Sequence, residues 1–172
     1  MPAMFGRRLP QPEDPGDEKV LSDIREFGFH AKHVRPDAHP EHAAEKEAFG
    51  PHPVYDIGFS YTVGLHHSHR HPELVITGGM SDGTAHEILW EVVNLIADGE
   101  RFAPGDRSAR VLRDHQVRFG PVTERWRKEI LTFADWAARR KPVEAVQVLL
   151  PDREGRYPGE EGYAGPPQPT LG

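Results

Sequence analysis

Histidine is concentrated in one short segment of this chain, where its spacing could support metal chemistry. Four of the eleven histidines lie in the run His66-His67-Ser68-His69-Arg70-His71. In an extended segment His67, His69 and His71 would project from one face, and imidazoles so placed can bind zinc, nickel or copper. Glu73 is the nearest candidate for a fourth ligand. The cofactor is unknown, with a divalent metal such as zinc as one hypothesis and a loop of solvated histidines as its alternative.

The step His71-Pro72-Glu73 could instead support acid–base catalysis. Imidazole titrates near neutral pH, and a neighbouring carboxylate can orient or charge the ring. Together with Tyr61, these two side chains are the candidate catalytic residues. The alternative is structural, with Pro72 beginning a strand, Glu73 as a solvated edge residue, and Tyr61 as a core tyrosine whose hydroxyl is satisfied.

A strand must position these groups, and the alternation from Asp56 to Leu65 predicts one. One face has large apolar side chains at Ile57, Phe59, Tyr61, Val63 and Leu65, whereas the other has only Gly58, Ser60, Thr62 and Gly64. A strand face without bulk allows a helix to pack closely or leaves a groove for a ligand. The sequence leaves both alternatives open.

The remaining pattern predicts three helices and further short strands. The helices are expected from Asp14–Asp17 to Gly28, from a capping box Thr84–Glu87 to Gly99, and from Thr123 to Arg140. Strands are expected at Phe29–Val34, Glu73–Thr77, Arg110–Leu112, Gln116–Val122 and Glu144–Leu150. Connections too short for helical crossovers favour an α+β fold. We predict a mixed, largely antiparallel sheet of about five to six strands, with three helices packed mainly on one side.

Composition limits the compartment and the partners. The chain has no cysteine, which excludes disulfides and thiolate chemistry, and its formal net charge of -6 argues against nucleic acid as the main partner. The opening residues lack the apolar run of a signal peptide, and no stretch is long and apolar enough for a membrane span. We therefore expect a cytoplasmic protein with neither a nucleic-acid nor a membrane partner.

Four separated motifs, FSYTVGL, HPELVITG, DGERFAPGD and VQVLLPDREGRYPGEEGY, resemble the bacterial family known as domain of unknown function 4262. We expect a flexible segment at residues 1–16 and a flexible tail at residues 164–172. The resemblance covers roughly residues 17–163 and implies a single domain there. It implies no established activity. The positions carried over by motif include Thr62, Gly64, Gln147, Asp152 and Arg156, which are the candidate ligand-binding residues.

Three functions are compatible with these residues. The leading hypothesis is an enzyme that binds an unknown small molecule and uses acid–base chemistry, hydrolysis being one form, in a pocket between the Tyr61 strand, the His71-Pro72-Glu73 loop and the PDREGRYP segment. A noncatalytic protein-binding or immunity-like module is the first alternative. A histidine-rich divalent-metal-binding protein is the second, and a homodimer is compatible with all three.

Overall fold

The first helix follows the predicted local signals closely. The structure is a computed structural model that describes residues 8–36, 48 and 52–172, so residues 1–7 of the predicted flexible segment lie outside the described part. Helix α1 (Pro15–Phe27) begins after Asp14, whose Oδ1 accepts a hydrogen bond from Asp17 N at 2.8 Å. It ends at Gly28, which adopts φ +86°, a conformation that glycine adopts without a Cβ penalty.

Six strands form one mixed sheet in the described part of the chain. They are β1 (His30–Val34), β2 (Phe59–Val63), β3 (Glu73–Thr77), β4 (Arg107–Ser108), β5 (Val117–Pro121) and β6 (Ala145–Leu149). Their order across the sheet is β1-β2-β3-β6-β5-β4. Only β3 and β6 pair in parallel, and the other neighbours are antiparallel. The predicted α+β class and mixed, largely antiparallel sheet are therefore confirmed.

Helices cover both faces of this sheet, which differs from the predicted packing on mainly one side. Every residue of β2 and of β3 is buried, so both faces of the central strands need a cover. On one face Leu74 and Ile76 pack with α3 (Asp82–Ala97). On the other face Val75 packs with α1 and with two short helices near residue 131.

Five helices occur among the described residues, two more than predicted. One addition is α2 (Leu65–His69), which occupies the connection between β2 and β3 that we expected to be a hairpin loop. The other arises because the helix predicted from Thr123 to Arg140 is broken. It forms α4 (Glu124–Ile130) and α5 (Thr132–Ala137), which are separated by the nonhelical Leu131 at φ -99° and ψ 38°.

Helix α3 has the predicted buried side but a different cap. Its apolar residues Ile88, Leu89, Val92 and Ile96 are all buried, with Leu89 fully enclosed. The predicted capping box at Thr84 and Glu87 is wrong, because Ser81 is the N-cap and its Oγ accepts from Thr84 N at 3.1 Å. The helix therefore begins one turn earlier than the sequence suggested.

The segment after β6 is bound to the domain rather than extended away from it. Residues 164–172 are the segment predicted to be a flexible tail, and within it Gln168 and Leu171 are buried. The N–H of Leu171 donates to Gln147 Oε1 on β6, and the amide of Gln168 bonds to the N–H and C=O groups of Leu150, just after β6. These contacts are made by the side-chain amides of Gln147 and Gln168, which are far apart in the chain, so no local sequence pattern predicts them. Within the described ranges, no helix combines the length and the apolar character needed to cross a membrane.

Candidate functional site

Glu73 is a fully enclosed carboxylate surrounded by hydrogen-bond donors. Its side chain is 1% exposed, at the start of β3. Oε2 accepts from Thr62 Oγ1 at 2.5 Å and from Leu65 N at 3.2 Å, and Oε1 accepts from the backbone N–H groups of Gly64 and His66 at 3.1 and 3.2 Å. The candidate ligand-binding residues Thr62 and Gly64 thus bind this carboxylate, which fastens the first turn of α2 to the sheet.

Two opposing effects act on the acidity of Glu73. Burial raises the pKa of its carboxyl to about 7, while the hydroxyl of Thr62 and the three backbone donors oppose that rise. Thr62 is itself oriented, because its Oγ1 accepts from Leu74 N at 2.9 Å. All the polar atoms of this cluster therefore face protein partners.

His71 is also buried, and its two ring nitrogens contact backbone groups. Nδ1 lies 2.7 Å from the carbonyl oxygen of Pro72, and Nε2 accepts from Phe102 N at 3.0 Å. This pattern requires the neutral tautomer with the proton on Nδ1. Burial lowers the pKa of the ring, and Arg101 adds to that effect. His71 therefore connects the segment before β3 to the loop at residue 102.

Tyr61 lies on the face of the sheet opposite α3, among core residues. It is 2% exposed and stacks on Phe59 with ring centroids 6.0 Å apart. Burial raises the pKa of Tyr61, and hydrogen bonds to the backbone of Phe133 and the side chain of Thr132 oppose that rise. The three candidate catalytic residues thus have separate hydrogen-bonding partners.

The proposed metal ligands are not brought together. His67 and His69 lie in α2, where residues two apart point to different sides of the helix, so the extended geometry assumed for this segment is wrong. The ring of His71 faces Phe102 instead. In the described part of the chain, no three His, Asp or Glu side chains form a group that could hold a metal ion.

Gln147 and Asp152 each organise a separate segment of the carboxyl-terminal region. The Gln147 amide binds Thr77 and two backbone groups of the tail. Asp152 accepts from Glu154 N, Arg156 N and Nε, and Ala164 N at 2.8 to 3.1 Å. Burial acts to raise the pKa of Asp152, but these hydrogen bonds outweigh it and hold the pKa at about 2. Arg156 and Asp152 therefore close their own turn.

A cleft of about 440 Å³ lies next to His71, at one end of the central strands. Its walls come from the segment before β3, the loop after Arg101, the end of β5, the first turns of α4 and the start of β6. The lining residues are Pro72, Phe102, Ala103, Pro104, Pro121, Val122, Glu124, Arg127, Glu144, Ala145 and Val146. The predicted pocket included the His71-Pro72-Glu73 loop, and the motif DGERFAPGD contains Phe102, but the walls from β5 and α4 were not expected.

One sequence signal could have pointed to the cleft. In the helix predicted from Thr123 to Arg140, Arg127 falls three residues before Ile130 and seven before Ala134, on the apolar side. In the structure Ala134 lies in α5, while Arg127 lies in α4 and is only 7% exposed. Its Nη1 donates to both carboxylate oxygens of Asp135, at 3.0 and 3.2 Å. A buried arginine paired across a helix break is uncommon enough to mark a region for attention.

Comparison with known proteins identifies the family. No curated protein and no solved structure matches the chain. A family model described as a domain of unknown function matches residues 23–164 of the 172. The matched range includes Glu73, His71 and every lining residue of the cleft. The chain therefore belongs to the family of domain of unknown function 4262, as its four motifs suggested.

Proposed function

We propose that this domain binds a small organic molecule in the cleft beside His71, and that it does so without catalysing a reaction on it. The observation that supports the proposal is that residues from separate family motifs meet in one cleft. Pro72 from the motif HPELVITG and Phe102 from the motif DGERFAPGD line one cleft with the first residues of β6. Its volume of about 440 Å³ lies within the range of small-molecule sites, about 300–1,000 Å³.

The lining indicates which chemistry the ligand would have. Phe102 and Val146 are buried side chains that form apolar parts of the wall, and Pro72, Pro104 and Pro121 add rigid apolar surface. Such a wall contributes affinity by removing the apolar body of a ligand from water. An aromatic or branched aliphatic body would suit it.

The charges at the rim favour a cationic group on that body. Arg127 is paired with Asp135, and Glu124 with Lys128 at 3.0 Å. Among the residues that the structure describes, Glu144 has no ion-pair partner, while its carbonyl oxygen accepts from Glu73 N at 2.8 Å. An ammonium or amidinium group could therefore meet an uncompensated carboxylate there.

His71 has a positioning role in this proposal. Its ring joins Pro72 to Phe102, two residues that line the cleft, and so fixes the distance between them. The acid–base hypothesis would require the ring to release one of these bonds and Glu73 to release donors of the α2 turn. A binding function needs neither change, and it agrees with the neutral tautomer that both bonds require.

Phenethylamine and phenylacetate provide a matched test, because they share an aromatic body and carry opposite charges. We expect phenethylamine to raise the thermal unfolding midpoint in a concentration-dependent way and phenylacetate to leave it unchanged. Glu144→Gln should weaken the response to phenethylamine. Glu91→Gln, which changes an exposed carboxylate on α3, is the control and should respond like the unmodified chain.

Two results would contradict the proposal. If neither compound binds, the cleft is not a site for this class of ligand. If Glu144→Gln and Glu91→Gln respond equally to phenethylamine, binding occurs elsewhere on an acidic surface.

A further inference from the structure

The tail of the chain is held in a groove on the side of the sheet that faces α1. Gln147 Nε2 donates to the carbonyl oxygen of Pro169 at 2.7 Å, and its Oε1 accepts from Leu171 N at 2.9 Å. One amide side chain therefore contacts the two backbone groups that flank Thr170. This is the pattern by which a neighbouring strand would pair with an extended peptide.

A second amide makes the reciprocal contact from the tail. Gln168 Oε1 accepts from Leu150 N at 3.0 Å and its Nε2 donates to Leu150 O at 2.9 Å. Further along, Thr77 Oγ1 donates to Pro169 O at 2.8 Å and Thr123 N donates to Leu171 O at 2.8 Å. Four residues of the domain, Thr77, Thr123, Gln147 and Leu150, thus form hydrogen bonds with residues 168–171 of the tail.

Side-chain recognition in the groove is limited to a few positions. Leu171 is completely buried and belongs to the same core cluster as Val75 and Tyr61, whereas Thr170 is exposed. Backbone contacts that tolerate many sequences, combined with one deep pocket for an apolar side chain, are typical of sites that bind extended peptides.

The groove contains buried polar groups that need a hydrogen-bonding occupant. Thr77 and Gln147 are each 1% exposed, and their polar atoms find partners in the tail. If the tail left without replacement, buried polar groups would lose hydrogen bonds and a leucine-sized pocket would open, both of which are costly. Any departure of the tail therefore favours the entry of another segment of the same chemistry.

The walls and the occupant differ in their relation to the family. Thr77, Thr123, Gln147 and Leu150 lie within the matched residues 23–164, while the tail residues that they bind lie beyond that range. The end of the tail also reaches Pro121, since a Cβ added at Gly172 would lie 2.6 Å from Pro121 Cγ. The groove is therefore built by the family domain and filled by a segment outside it.

We propose that this groove is a peptide-binding site, occupied in cis by the tail, which accepts in trans an extended segment of a partner protein with leucine two residues after proline. The proline is the residue whose carbonyl binds Thr77 and Gln147, and the leucine fills the buried pocket. The tail acts as an intramolecular competitor. Because it is tethered, a partner must overcome its effective concentration, which reaches the millimolar range for short connections. This site adjoins the cleft beside His71 at Pro121, which lines that cleft and contacts Gly172, but its ligand is a different one.

The test uses the full chain and a fluorescent peptide with the sequence of residues 165–172, GPPQPTLG. Leu171→Ala weakens the tail in cis, so this variant should bind the peptide at least about tenfold more tightly than the unmodified chain. A peptide with alanine in place of its leucine should bind neither protein. Adding Gln147→Leu to Leu171→Ala should abolish binding, because it removes the amide that pairs with the peptide backbone.

A second variant keeps the test informative if Leu171→Ala does not fold. Gln168→Ala removes the contacts to Leu150 without emptying the leucine pocket, and it should also increase binding of the peptide. Equal binding by a folded weakened-tail variant and the unmodified chain would overturn the proposal. A stable dimer formed by exchange of tails between full-length chains, detected by light scattering, would overturn the assignment of the groove to a different protein.

Discussion

At Glu73, the arrangement of donors determines what the side chain can do. Three backbone N–H groups and one hydroxyl point at its two oxygens, and N–H groups can only donate. An acceptor at this position is therefore required whether or not the carboxyl carries a proton. Because both oxygens of the Glu73 carboxyl already accept hydrogen bonds from the protein, this group is better suited to holding α2 in place than to exchanging protons with a ligand.

Replacing Glu73 with glutamine tests this structural role. The amide oxygen can still accept from Gly64 and His66, but the new NH₂ group faces the N–H of Leu65 and leaves that buried donor unpaired. We expect a loss of about 1–3 kcal/mol in the free energy of unfolding, measured with urea. Glu87→Gln, at an exposed position on α3, should change it by less than about 0.5 kcal/mol. Equal stability of the two variants would contradict the assigned contacts.

His71 should make the stability of the domain depend on pH. Burial lowers its pKa below the ordinary 6.5, so the unfolded chain binds a proton that the folded chain does not. The stabilisation from the neutral ring is fully present above about pH 6.5 and is lost as the pH falls towards the folded-state pKa. The difference in unfolding free energy between the protein and His71→Leu should therefore shrink from pH 7.5 to pH 5. Parallel pH profiles would exclude this effect.

The sequence identified several important residues but not their partners. His71, Glu73, Thr62 and Gln147 were all singled out, and all are buried and hydrogen-bonded. Their partners are backbone groups or residues far along the chain, such as Phe102 for His71. A pattern of residue types reveals that a position is constrained, whereas it does not reveal whether the constraint comes from a ligand or from the fold.

At the scale of elements, α2 depends on a close approach by α1. Gly64 adopts φ +93° at the point where the chain leaves β2, and its N–H donates to Glu73. A Cβ at this position would lie 2.5 Å from Ile24 Cγ1 and 2.6 Å from Ile24 Cδ1. Gly64 therefore serves the backbone conformation and the packing of two helices together.

Two glycines allow these contributions to be separated. Gly155 has φ +81° but nothing within 4 Å of an added Cβ, so Gly155→Ala should lose only about 1–2 kcal/mol for the left-handed conformation. Gly64→Ala should lose more, because it adds overlap with Ile24. The excess should be reduced in the double variant Gly64→Ala with Ile24→Ala, measured as a coupling energy in a double-mutant cycle. Equal losses of unfolding free energy in Gly155→Ala and Gly64→Ala would show that the overlap with Ile24 is relieved without an energetic cost.

Elements that span several repeats of their own period were predictable, whereas shorter ones were not. The period of two is visible within the five residues of β2, and the spacing of Leu89 in α3 reflects a buried face repeated over 16 residues. Helix α2 has only five residues, too few to display a period, and it is fixed by the distant acceptor Glu73. The break at Leu131 likewise follows no proline or glycine, and no local signal distinguishes it.

For the whole molecule, the parallel pair β3–β6 connects the two halves of the sheet. Strands β1 and β2 join it from one side, and β5 and β4 from the other. The tail reinforces this centre, since Gln147 on β6 and Thr77 on β3 both bind Pro169. No short-range signal reveals a parallel pairing between distant strands, which explains why the sequence predicted the class of the sheet but not its order.

This topology predicts how stability is distributed. Strands β3 and β6 are central and buried, while β1 is an edge strand whose five residues are all partly exposed. Backbone amides of β3 and β6 should therefore exchange with deuterium only through global unfolding, on the order of 100-fold more slowly than those of β1, which can open locally.

A core substitution would distinguish global from local opening. Val148 on β6 is fully buried, and Val148→Ala should lower the free energy of unfolding by about 2 kcal/mol. Exchange at β3 and β6 should then accelerate together by the factor that corresponds to that loss, because both depend on the same unfolding event. Exchange at β1 should stay unchanged, since its local opening does not involve Val148. If β3 accelerated while β6 did not, the parallel pair would not be a single cooperative unit, and the central role assigned to it here would be wrong.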